Sequence, residues 1–294
     1  MSSFSRPVVF FANGIGDHLL VLPALRALVA IFGDSLRVVC MRRFCYWFLH
    51  ELSVKPIKSE FIWQDGTRYF DVELMAAQIG WCDLFISLVP WYSKSLEQLM
   101  YRLKPAHSIG LSRYYKTRPI VESPHSVDRA FGVPRYFESR LAVEDFSFPP
   151  VLPARAMRTA STVRTLIPSN YRILAVQADT KREKTWPDAA FANVVSEFLR
   201  RHQNFVAMPV GLSGIDVSSV VDQNRLIPCN GAPLAAAMAL VAQADFLLGV
   251  DSFALHVADL SRVPGVGLFG PTRPSEFGFS FRATSSLRRK RHDV

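Results

Sequence analysis

Short apolar runs alternate along this chain with longer amphipathic stretches, the pattern of βα units feeding a parallel sheet rather than of a sandwich or a helical bundle. In the first half, residues 8–12, 36–41 and 84–89 read as buried strands, the last preceded by Asp83 and followed by Pro90. In the second half, residues 173–177, 205–209, 246–250 and 266–269 read the same way. Between them, residues 147–168 carry Pro149, Pro150, Pro153 and Pro168 among small and basic residues, which predicts a linker. The expectation is an α/β chain in two doubly wound halves, residues 1–150 and 165–294, each of ordinary domain size. No short-period repeat or low-complexity segment changes that picture.

Two segments stand at strand-to-helix turns, and both invite chemistry. In the first, residues 7–20 place a strand before Asn13, Gly14 and Gly16, then a helix with Val21, Leu25, Leu28, Val29 and Phe32 on one face. The glycines predict a sharp turn with close backbone approach to a ligand, at a helix start that attracts anions. A dinucleotide fingerprint fails, because Leu19 stands where the third glycine belongs and Pro23 follows in the helix; a Walker lysine is absent as well. Asp17 has two readings: a carboxylate that stabilises the helix dipole, or a base exposed at a strand's carboxyl end that accepts a proton from a hydroxyl. His18 reads as a second polar contact or as a structural histidine.

The second segment comes in two parts. The strand at residues 173–177 is followed by a polar loop holding Thr180, Lys181, Arg182 and Lys184, three cations and a hydroxyl suited to neutralising a diphosphate, or else a solvated basic loop. The strand at residues 246–250 delivers Asp251 and Ser252 to a helix start, where either caps the helix or, with the free amides, holds a ribose and phosphate oxygens. His256 lies four residues on, on the same helix face as Ser252.

Composition narrows the partners. The formal charge of +9 points to anionic ones without choosing among nucleic acid, phosphorylated metabolites and a lipid surface. Arg288, Arg289, Lys290 and Arg291 near the end read as a solvated tail, with contact to acidic headgroups as the alternative. The four cysteines, Cys40, Cys45, Cys82 and Cys229, form no CxxC pair, which predicts reduced thiols, a cytoplasmic setting and no zinc site. The richest apolar stretch, residues 19–32, is broken by Pro23 and Arg26, and no secretory leader is evident at the N-terminus. The chain is therefore expected to be cytoplasmic, at most peripheral at the inner face of a membrane.

With these residues in place the chain resembles the family 9 glycosyltransferases, whose best known members are ADP-heptose:lipopolysaccharide heptosyltransferases. Residues 14–28 resemble the family's glycine-aspartate turn and proline-bearing helix, residues 177–187 its phosphate loop ending in Trp-Pro, and residues 249–258 with 268–274 its Asp-Thr-Gly…His helix and Gly-Pro-Thr loop. The resemblance implies a GT-B fold, two Rossmann-like domains facing each other across a cleft, and an inverting transfer that needs no metal and no cofactor. The donor it implies is a nucleotide-sugar, first of all ADP-heptose, and the acceptor a glycan, lipid-linked or small-molecule hydroxyl rather than a nucleic acid. It makes Asp17 the base, Thr180 and Lys184 diphosphate contacts, Asp251 a nucleoside contact, and Ser252 and His256 parts of the phosphate-binding helix start; Lys181 of the basic loop is a further donor-binding candidate. Asn13, Gly14, Gly16 and His18 form the acceptor-side turn.

Two residues depart from the family pattern. Asp179 stands where a hydroxyl is usual, so a carboxylate faces the diphosphate unless it turns away; Phe253 replaces a glycine and is expected to limit backbone approach to phosphate. Together with a chain that ends about twenty residues after the Gly-Pro-Thr loop, they motivate a second expectation, a non-catalytic GT-B-like protein that binds a nucleotide-sugar or a partner transferase. A nucleotide-dependent oxidoreductase is a weaker third, since the glycine pattern is incomplete.

Overall fold

The computed structural model describes residues 4–41, 52, 54–64, 67–211, 220, 222–281 and 285–288, in two compact units, Met1–Ser147 and Phe148–Val294. The first unit runs β1 (Pro7–Phe10), α1 (Ile15–Phe32), β2 (Arg37–Met41), β3 (Lys55–Ser59), β4 (Ile62–Gln64), β5 (Thr67–Tyr69), α2 (Val72–Ile79), β6 (Leu84–Ser87), α3 (Lys94–Leu103), β7 (His107–Gly110) and α4 (Ser126–Phe137). Five strands form a parallel sheet in the order β3-β2-β1-β6-β7, and β4 and β5 pair as an antiparallel hairpin. All of β1 and β6 is buried, as expected of central strands covered on both faces. The sequence pattern missed both edge strands, β3 and β7: β7 is only four residues long, and β3 is mostly exposed, with a proline whose missing N–H such an edge tolerates.

Helix α1 continues through Pro23 and is buried from His18 to Leu28, packed against α4. Residues 15–35 are long and apolar enough to cross a membrane by composition, which the sequence reading did not anticipate, yet 61% of that window is buried within the unit, as a core helix would be. Buried Arg26 is reconciled with this setting by donating to the Phe146 carbonyl at 2.9 Å.

The second unit runs α5 (Ala154–Thr165), β8 (Arg172–Gln177), α6 (Asp188–Arg201), β9 (Phe205–Gly211), β10 (Cys229–Asn230), α7 (Leu234–Ala242), β11 (Phe246–Val250), α8 (Phe253–Leu260), β12 (Gly265–Phe269), α9 (Pro274–Phe277) and β13 (Ser285–Arg288). Its six strands are parallel in the order β10-β9-β8-β11-β12-β13. Leu174, Val176, Phe191, Val195, Leu199, Leu248, Val250 and Leu268 build one core between sheet and helices.

Three sequence expectations differ from the structure. The proline-bearing segment is not a linker throughout: α5 occupies its middle, burying Ala156 and Ala160, one turn apart, on a face packed against α7. Arg288 is not tail but the end of β13, in register with Phe269; Arg289, Lys290 and Arg291 lie outside the described residues. Among the cysteines, Cys82 and Cys229 are free as expected, whereas Cys40 is disulfide-bonded; Cys45 lies outside the described residues.

Candidate active site

Each sheet reverses its winding once, between β1 and β6 in the first unit and between β8 and β11 in the second, and at the carboxyl ends of such strands an open α/β sheet leaves a crevice for ligands. The two sequence segments fall at these points.

In the first unit the chain leaves β1 through buried Asn13 and enters α1 after Gly14. Asp17 sits in the first turn, half-buried, and its Oδ2 accepts the Gly14 N–H at 3.1 Å. This closes one half of a capping box and offsets an otherwise unpaired helix-start amide. The glycines do not act as expected. Gly14 has an ordinary φ of −64°, and Gly16 lies inside α1. What Gly14 provides is room, since a Cβ there would stand 3.2 Å from Asp17 Oδ2.

His18 is buried, its Nδ1 bonded at 2.8 Å to the Gly14 carbonyl and its ring edge-on to Phe11 at 4.7 Å. Burial pushes its pKa down to about 4, with the nearby Arg68 charge adding to the effect against the carbonyl hydrogen bond. At neutral pH it is an uncharged imidazole donating from Nδ1, which is the structural reading of this residue.

Arg68 is the residue the sequence reading missed at this turn. The β4–β5 hairpin carries it to the carboxyl end of β1, where Nη1 donates to the Ala12 carbonyl and the guanidinium lies 5.2 Å over the Trp91 ring. Burial pulls its pKa down from the ordinary arginine range and the Asp17 charge pulls it back up. Nothing in the sequence spacing marks a contact across 56 residues. Beyond β7 a cavity of about 310 Å³ opens, lined by Leu111, Ile120 and the two guanidinium-bearing residues Arg118 and Arg129.

In the second unit three loops meet on one carboxylate. Asp251, buried directly after β11, accepts from Lys184 Nζ at 2.6 Å and from the Thr272 hydroxyl at 2.5 Å, while its backbone carbonyl accepts from Thr180 Oγ1 at 3.2 Å. The turn at residues 182–184 packs close enough to Gly270 that a Cβ there would meet the Glu183 carbonyl at 3.2 Å, which explains the glycine of the loop after β12. Ser252 donates to Gln177 Oε1 at 2.5 Å, tying the end of β11 to the end of β8. Thr272 joins this cluster although its candidacy was not recognised; its place in the 268–274 loop was the available signal.

The remaining candidates are placed as follows. Lys181 is exposed, with its carbonyl accepting from Lys184 N and Thr185 Oγ1. His256 is buried on α8. Phe253, the first residue of α8, is buried, 7% exposed. Asp179 turns toward β9: its Oδ2 would stand 2.0 Å from a Cβ on Gly211, whose φ of +143° further suits glycine. Among the described residues no three His, Cys, Asp or Glu side chains gather in a group suited to a metal ion.

The two motifs of the second unit lie within the stretch that a family comparison matches. The glycosyltransferase family 9 (heptosyltransferase) profile matches residues 100–290. The chain belongs to that family. Among solved structures, a family 9 glycosyl transferase from Veillonella parvula is similar at 19% identity and a TM-score of 0.75, over 97% of this chain and 86% of that one. E. coli ADP-heptose lipopolysaccharide heptosyltransferase II is similar at 15% identity and 0.68, over 98% and 91%. The E. coli heptosyltransferase WaaC with ADP-2-deoxy-2-fluoro heptose is similar at 17% and 0.67, over 97% and 93%. At these identities the likeness is one of fold, and the fold is GT-B. No curated protein sequence matches the chain. As a member of this family, the protein is a glycosyltransferase.

Proposed function

We propose that this glycosyltransferase moves a sugar, a heptose first of all, from an ADP-linked donor to a hydroxyl of a glycan, lipopolysaccharide core or natural-product acceptor. In the reaction the Asp17 carboxylate takes the proton of the acceptor hydroxyl, whose oxygen bonds to the anomeric carbon from the face opposite the diphosphate, and the bond to the diphosphate oxygen breaks, inverting the centre. Lys184, Thr180, Lys181 and the amides at the start of α8 meet the charge that develops on the leaving diphosphate, a preorganised electrostatic role that requires no metal ion. The observation that carries the reading is the meeting of Lys184, Thr180 and Thr272 on Asp251 at the second sheet's crevice. Lys184 keeps further N–H donors beyond the one given to Asp251, so it can hold its carboxylate and a phosphate oxygen together. The heptosyltransferase WaaC, crystallised with ADP-2-deoxy-2-fluoro heptose, supports ADP-heptose as the first donor to test.

The test is a thermal-shift series with ADP-, GDP-, UDP- and dTDP-sugars, followed by a turnover assay with the best binder in the presence of EDTA. The expected result is stabilisation by an ADP-sugar, lost in Lys184→Ala, and turnover that EDTA leaves unchanged. Binding with no turnover on any acceptor would instead favour the non-catalytic reading, and no binding of any nucleotide-sugar would end both.

A further inference from the structure

The first unit holds a charged side chain that the donor chemistry leaves unused. Arg68 reaches the turn before α1 from a two-strand hairpin that belongs to neither the parallel sheet nor its helices. Its guanidinium is hydrogen-bonded to the Ala12 carbonyl and lies 5.2 Å from the Trp91 ring, on the same turn whose Gly14 N–H is bonded to Asp17, and the Asp17 charge offsets part of the cost of burying it. Trp91 comes from the loop after β6, the other strand of the crevice, and its ring also packs edge-on against Phe10 at 6.0 Å. Titratable and charged groups near Asp17 include His18 on α1, whose buried ring is neutral, and Arg68 on β5. The Arg68 cation beside this carboxylate is held by a carbonyl on one side and an indole on the other.

We infer that Arg68 is a positioning residue for Asp17, holding the carboxylate ionised and oriented toward the acceptor, with Trp91 as the surface that keeps the guanidinium in place. This rests on the reading of Asp17 as the base. A cation near a half-buried carboxylate favours its ionised form, so removing the cation makes protonation easier and the base fails at a higher pH. A neighbouring arginine also leaves the carboxylate with a defined direction, as hydrogen-bonded or stacked guanidinium groups are geometrically rigid compared with lysine.

The experiment is the pH dependence of kcat/KM for transfer in wild type, Arg68→Gln and Arg68→Lys, with Asp17→Asn as baseline. The acid limb is expected to move up by about one pH unit in Arg68→Gln and to return toward the wild-type position in Arg68→Lys, with the donor KM unchanged. An acid limb that stays in place in Arg68→Gln, whatever the loss in rate, overturns the inference, because a purely structural role lowers the rate without moving the limb. If Arg68→Gln does not fold, Trp91→Leu replaces it: the guanidinium loses its support, and an upward limb shift supports the inference while an unmoved limb overturns it. Full turnover in Asp17→Asn marks failure of the parent reading, and a fixed limb with Asp17 still essential marks failure of this one alone.

Discussion

The two carboxylates at the sheet crevices are held in opposite ways. Asp251 is buried, its Oδ2 accepting from residues 67 and 21 positions away, so that it fastens three loops to one point. Asp17 is half-buried, and its Oδ2 contact is local, an N–H three residues back on its own helix start. The contrast teaches that the same side chain serves architecture where it is buried under hydrogen bonds from distant loops, and presentation where it caps its own helix half-exposed, with the Arg68 charge nearby. Substitutions at the two sites should therefore separate stability from turnover.

The largest expected effect is on stability at Asp251. Asp251→Ala leaves Lys184, a mostly buried ammonium, without its counter-charge and frees the loop carrying Thr272; the loss is expected to be about 3 kcal/mol, measured by denaturant unfolding, together with loss of donor binding. If stability is unchanged, Asp251 does not fasten the loops and the comparison breaks.

A smaller effect sharpens the other side. His18 has a folded pKa depressed to about 4, against an ordinary 6.5, so the folded protein resists a proton that the unfolded chain accepts. Its contribution is complete above pH 6.5 and disappears as the pH falls toward 4, up to ~3 kcal/mol in all and less if the turn opens locally. Replacing it by glutamine, His18→Gln, should flatten this part of the stability profile between pH 6.5 and 4; an unaltered slope would show that the imidazole is not held neutral.

How much of this was readable in the sequence depends on where each residue sits. The central strands were legible because they are buried on both faces and read as continuous apolar runs; β3, β10 and β13 are edge or short strands of mixed composition and carry no such signal. Helix α5 was hidden by prolines before it and by a polar, basic composition, although Ala156 and Ala160 repeat at helical spacing. Asp251, Lys184 and Thr180 could be nominated because each follows a buried strand. The orientation of Asp179 could not, since it depends on a strand neighbour, Gly211. Arg68 was out of reach for a related reason: only the hairpin's folding brings it to Asp17.

The most direct test of the account is Asp17→Asn, read by two assays on one preparation: ADP-heptose binding by calorimetry and transfer to an acceptor. The substituted amide keeps a carbonyl oxygen for the Gly14 N–H and loses the negative charge and with it the capacity to take a proton. The account predicts that turnover falls by about a hundredfold or more while donor affinity is retained. Turnover at the wild-type rate, or a loss of donor binding that matches the loss of turnover, would contradict it.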